Sequence, residues 1–227
     1  TPKKAWKATV TATLANGMKA SLTVTVTAPA PTAKWMQSGG RWWYSYNGGG
    51  YATSWKQIDG AWYYFDASGW MRTGWLNQNG IWYYLTPSGA MAEGWVKVGG
   101  AWYYLNPGSG AMAAGWAKVG NTWYYLNGSG AMQTGWLHNG SWYYLTGSGA
   151  MAEGWINLGG AWYYLNPGSG AMATGWAKVG GAWYYLNGSG AMAANRWVGN
   201  YYVGSSGAMA VNTQIGSYYV GADGAWI

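Results

Sequence analysis

The stretch Gly94-Trp95-Val96-Lys97-Val98-Gly99-Gly100-Ala101-Trp102-Tyr103-Tyr104-Leu105 decides the fold. Trp-Tyr-Tyr-Leu is a run of strong strand formers. Trp95 to Val98 reads as a second short strand before it. The Gly99-Gly100 pair between them tolerates φ > 0 at both positions, as a two-residue hairpin turn requires. The segment is therefore predicted to be a β-hairpin. Asp59-Gly60, Asn79-Gly80 and Asn139-Gly140 are expected to make the same turn elsewhere. The linker that follows, Asn106-Pro107-Gly108-Ser109-Gly110-Ala111-Met112, is too rich in glycine for a helix.

The hairpin repeats. Its opening Trp recurs at 35, 55, 75, 95, 116, 136, 155, 176 and 197, and a degenerate tenth unit opens at Ile215. A period near 20 residues is too short for a domain and marks a stacked array. A lone hairpin is marginal in water, so each must cover its neighbour's apolar face. The expected architecture is all-β, an elongated solenoid of stacked hairpins over residues 35–227. A longer period lies above the first. The linkers at 86–89, 106–110 and 127–130 recur in type 60 residues later, as does Glu93 at Glu153. This fits three hairpins per superhelical turn, and equally a duplicated block.

The ends differ. Residues 6–28 alternate with period two around Asn16-Gly17 and read as one hairpin, the remnant of an immunoglobulin-like β domain. Residues 29–34 form a linker, and the Ala-Pro-Ala-Pro run (28–31) that leads into it is stiff. The last two units keep Tyr201-Tyr202 and Tyr218-Tyr219 but lose the second Trp, as capping repeats do. The chain opens at Thr1 and shows no signal peptide, so it reads as a fragment of a longer protein.

Composition narrows the chemistry. The 227 residues include 40 Gly, 21 Trp and 21 Tyr, but one Phe, one His, five carboxylates and no Cys. Disulfides and thiolate metal sites are excluded, and paired acid–base catalysis has little to draw on. No metal or cofactor is expected. The net charge of +7 sits mostly at the start, where Lys3, Lys4, Lys7, Lys19 and Lys34 occur without an acid. No basic stripe runs along the repeats, so nucleic acid is not an expected partner. No apolar run is long enough to span a membrane as a helix.

The aromatics are the functional signal. Trp102 and Tyr104 share one face of their strand, and Tyr103 and Leu105 the other. Leu marks the core side. The two Trp of one hairpin, the second Tyr of the next and the hairpin's own linker Met are then expected to line a pocket between repeats. A core needing only bulk would use Phe and Leu, whereas Trp and Tyr bring electron-rich faces and polar tips. A box of such rings, with no charge expected nearby, suits a quaternary ammonium held by cation–π attraction.

The pattern Gly-Trp-x4–6-Trp-Tyr-Tyr-Leu-x-x-x-Gly-x-Met over residues 35–227 resembles the choline-binding repeats of Gram-positive surface proteins. The resemblance implies a left-handed hairpin solenoid, secretion to the cell surface, and non-catalytic anchoring to choline on teichoic and lipoteichoic acids. It implies these cages: Trp55, Trp62, Met71 with Tyr84; Trp75, Trp82, Met91 with Tyr104; Trp95, Trp102, Met112 with Tyr125; Trp116, Trp123, Met132 with Tyr144. The rest are Trp136, Trp142, Met151 with Tyr164; Trp155, Trp162, Met172 with Tyr185; and Trp176, Trp183, Met192 with Tyr202. A weaker cage uses Trp35, Trp42 and Tyr64, with Tyr51 where Met is expected. Glucan-binding repeats share the Trp-Tyr-Tyr strand, so a glucan is the alternative ligand and an adhesive spacer a further reading. Exposed aromatics of the end units offer a surface for a homodimer. Asp59, Asp223 and His138 are assigned to turns.

Overall fold

A computed structural model describes residues 6–13, 15, 17–26, 33–46 and 48–227, with the side chains of 6, 25 and 26 excepted. Every regular element among them is a β-strand, and consecutive strands pair antiparallel into eleven two-stranded sheets. Trp6–Thr13 pairs with Lys19–Val26. Asn16 of its expected turn and the Ala-Pro-Ala-Pro segment lie outside the described residues. The chain divides into two compact units, Thr1–Ala92 and Glu93–Ile227. Each contains hairpins stacked in sequence order.

The hairpins follow from their turns. Gly99 and Gly100 have φ of 58° and 86°, and Asp59-Gly60 and Asn79-Gly80 match them. Asn139-Gly140 departs from expectation. There Asn139 pairs directly with Ser141, and Gly140 alone takes a positive φ. The repeat is one residue short, since Trp155 follows Trp136 by 19 rather than 20, and the turn absorbs the loss. His138 consequently lies in the strand Gly135–Asn139 rather than in the turn.

In each unit the most deeply buried side chains are those that end the second strand of a hairpin. Phe65, Leu85, Leu105, Leu126, Leu145, Leu165, Leu186, Val203 and Val220, each ending a second strand, are 0% exposed. Burying one such side chain contributes about 1.5–3 kcal/mol. Each linker then turns back and bridges this residue to its Met, as in Leu126 with Met132, except that Val220 bridges to Trp226. The linker glycine packs against the Met of the repeat before. A Cβ on Gly149 would lie 2.9 Å from Met132 Cγ, so any larger residue there must displace the Met side chain.

The first repeat is closed differently. The Arg41 guanidinium lies 4.3 Å from the Trp70 ring centroid and 3.6 Å from Asp66 Oδ2. Trp43 meets Trp70 edge-on at 5.4 Å. The last two hairpins shorten to three-residue strands, Arg196–Val198 with Tyr201–Val203 and Thr213–Ile215 with Tyr218–Val220.

Candidate functional site

The pockets arise from how one hairpin meets the next. Within a hairpin the opening Trp lies opposite the second Tyr, as Trp116 opposes Tyr125. From Trp55–Tyr64 to Trp197–Tyr202 these ring centroids stand 5.0–5.3 Å apart. The two Trp stand nearly perpendicular, 6.4 Å apart at 90° for Trp116 and Trp123. The next hairpin presents its Tyr/Leu face to this surface. Its first Tyr therefore meets the opening Trp, with Tyr143 at 4.9 Å from Trp116 and Tyr124 at 4.8 Å from Trp95.

A backbone bond fixes the Met. Met151 N–H donates to the Trp123 carbonyl at 2.8 Å, and Met71, Met91, Met132, Met172, Met192 and Met209 bond likewise to Trp42, Trp62, Trp102, Trp142, Trp162 and Trp183. Each Met thus serves the pocket of the hairpin before its own. One pocket is lined by Trp116, Trp123, Tyr143 and Met151, with Gly168 and Ser169 from the linker after the following repeat; its volume is about 280 Å³. A second, about 310 Å³, is lined by Trp136, Trp142, Tyr163, Met172, Gly188 and Ser189. A third, about 310 Å³, is lined by Trp176, Trp183, Tyr201, Met209 and Asp223. A fourth, about 410 Å³, is lined by Trp35, Trp42, Tyr63, Met71, Pro87 and Ser88. The second Trp forms an open rim: Trp123 is 37% and Trp142 46% exposed.

The sequence-based groups are corrected accordingly. The paired Trp come together at Trp35 with Trp42, Trp75 with Trp82, Trp116 with Trp123, Trp136 with Trp142, Trp155 with Trp162 and Trp176 with Trp183. The second tyrosines Tyr64, Tyr144, Tyr164 and Tyr202 do not line the four pockets; the first tyrosines Tyr63, Tyr143, Tyr163 and Tyr201 do. Tyr84, Tyr104, Tyr125 and Tyr185 buttress the opening Trp of their own hairpins in the same way. The pockets of Trp116, Trp136 and Trp176 take Met151, Met172 and Met209 in place of the expected Met132, Met151 and Met192, and Met71 stands where Tyr51 is expected. Trp55 meets Tyr83 at 5.0 Å and Trp155 meets Tyr184 at 4.9 Å, with Met91 and Met192 bonded to Trp62 and Trp162. Met112 bridges to Leu105 and is covered by Gly130. Trp75 and Trp82 keep the perpendicular geometry at 6.4 Å.

Charge is nearer than the sequence suggested. The ammonium groups of Lys97, Lys118 and Lys178 lie 5.8–5.9 Å from the rings of Trp102, Trp123 and Trp183, their cross-strand partners. His138 takes the equivalent place against Trp142 at 4.9 Å. Asp223 reaches a pocket from a linker two repeats on.

The repeats are matched in known proteins. Family models described as choline-binding repeats cover residues 52–93, 73–115, 113–153, 152–197 and 191–226. The chain belongs to the choline-binding repeat family. CbpJ from Streptococcus pneumoniae TIGR4 is 37% identical, with a TM-score of 0.61, over 93% of this chain and 73% of that one. The choline-binding domain of CbpL from Streptococcus pneumoniae is 40% identical, with a TM-score of 0.61, over 78% of this chain and 97% of the domain. Choline-binding protein F of Streptococcus pneumoniae, in complex with ipratropium, is 34% identical, with a TM-score of 0.57, over 89% of this chain and 73% of that one. No curated protein is matched.

Proposed function

We propose that this chain is a non-catalytic anchoring module of a Gram-positive surface protein. Its pockets grip the choline of teichoic and lipoteichoic acids. The observation that carries the reading is the repeated box itself: two perpendicular Trp, a Tyr from the next hairpin and a Met, as at Trp116, Trp123, Tyr143 and Met151. A trimethylammonium group has no hydrogen-bond donor and a diffuse charge. Aromatic faces on several sides attract it by about 0.5–2 kcal/mol each. Three faces give a few kcal/mol, or roughly millimolar affinity per pocket. A polymer carrying many cholines engages several pockets at once, and effective concentration raises the avidity. A glucan prefers a flat stacking platform with hydrogen bonds at its edge, and upright perpendicular rings suit it less.

The test is retention on a quaternary-amine resin followed by elution with free choline. The reading predicts elution by choline, no retention on dextran, and partial loss of retention in Trp123→Leu. Retention on dextran with no competition by choline selects the glucan reading instead. Light scattering with and without choline reports whether two chains associate.

A further inference from the structure

The pocket of Trp176, Trp183, Tyr201 and Met209 differs from the others in the wall supplied by the linker. Ser169, Ser189 and Ser88 line the other three pockets where this one has Asp223. The turn does not require the change. Asp223 Oδ1 accepts the Ala225 N–H at 2.9 Å, but Ser206 Oγ and Ser169 Oγ do the same for Ala208 and Ala171 at 3.3 Å. A neutral hydroxyl suffices there, so the negative charge is surplus to the fold. It enters a box that otherwise offers a cation only ring faces and a thioether. A charge of opposite sign stands at the same pocket, Lys178, 5.9 Å from the Trp183 ring. Among the described residues no ion pair joins it to Asp223. The Trp116 pocket has the same lysine arrangement, with Lys118 5.8 Å from Trp123, but Ser169 in place of the acid. The two pockets therefore share two Trp, a Tyr, a Met and a lysine, and differ in the linker wall, which is Gly168 and Ser169 in one and a carboxylate in the other.

We propose that the Asp223 pocket binds ammonium ions that carry an N–H as well as quaternary ones, whereas the serine-lined pockets select quaternary ammonium. This rests on the ammonium-binding reading above. An N–H enclosed by ring faces loses its water partner, and an unpaired buried donor costs about 1–3 kcal/mol. A carboxylate at the wall accepts that hydrogen and returns the cost in a charge-assisted bond. A trimethylammonium group has no N–H to lose, so it gains from Asp223 only through charge.

The test uses the full chain, with the indole N–H resonances of Trp116, Trp123, Trp176 and Trp183 assigned. Choline and protonated N,N-dimethylethanolamine are titrated separately at low and high salt. At Trp116 and Trp123 the tertiary amine should bind about tenfold more weakly than choline, the equivalent of one lost hydrogen bond. At Trp176 and Trp183 the two should agree within about threefold, and added salt should weaken both. Asp223→Asn keeps the oxygen that accepts from Ala225 and removes the charge. It should restore the roughly tenfold preference for choline at that pocket alone, and Asp223→Ser should do the same. Equal discrimination at the two pockets in the wild-type chain, or no change in Asp223→Asn, overturns the inference while leaving choline binding intact. No response of any pocket to choline overturns the functional reading as well.

Discussion

Gly149→Ala probes the link between stacking and the pockets. Gly149 has a φ of +83°, and an added Cβ would sit 2.6 Å from Cε and 2.9 Å from Cγ of Met132. Two costs follow. A side chain in the left-handed region costs about 1–2 kcal/mol. Forcing extra volume against a packed neighbour costs about 1–3 kcal/mol more. Gly154 separates the two contributions. It has a φ of +75°, and a Cβ added there would meet nothing within 4 Å, so Gly154→Ala carries the backbone cost alone. Urea unfolding should show Gly149→Ala to be less stable than Gly154→Ala by about 1–3 kcal/mol. The displaced side chain is Met132, whose N–H holds the Trp102 carbonyl at 2.8 Å. Gly149→Ala should therefore also weaken choline at the Trp95 and Trp102 indoles, which Gly154→Ala leaves unchanged. Equal stability and equal choline binding in the two variants would refute the reasoning.

Three further outcomes follow from the same geometry. Ser54 takes a φ of 60° where later repeats have Gly74 and Gly94, so Ser54→Gly should raise stability by about 1 kcal/mol in urea unfolding. Leu126 is fully buried, and Leu126→Ala should cost about 2–5 kcal/mol by the same assay. Lys118 places its charge 5.8 Å from the Trp123 ring, so Lys118→Gln should tighten choline at that pocket by roughly twofold, the relief of about 0.5 kcal/mol of repulsion in water, as read from indole shifts.

The repeat, the hairpins and the aromatic residue types were legible in the sequence because they depend on short-range rules. Gly-Gly and Asp-Gly pairs impose a turn, and period-two alternation assigns the faces of one strand. What alternation leaves open is which face the next hairpin turns toward its neighbour. That is set by the linker, through the bond from Met151 N–H to the Trp123 carbonyl, and it exchanges Tyr144 for Tyr143 and Met132 for Met151 in the pocket. The reach of Asp223 into a pocket opened by Trp176 was hidden for the same reason, since the two are separated by more than two repeats. The tighter turn at Gly140, in contrast, had a signal in the 19-residue spacing from Trp136 to Trp155.

The central claim is that each pocket is built from two Trp of one hairpin with the first Tyr and the linker Met of the next. A crystal structure of the chain with choline tests it most directly. The account predicts a trimethylammonium nitrogen within about 6 Å of the ring centroids of Trp116, Trp123 and Tyr143, with Met151 beside it. Choline seated against Tyr144 and Met132, or absent from every aromatic box at saturating concentration, would contradict it.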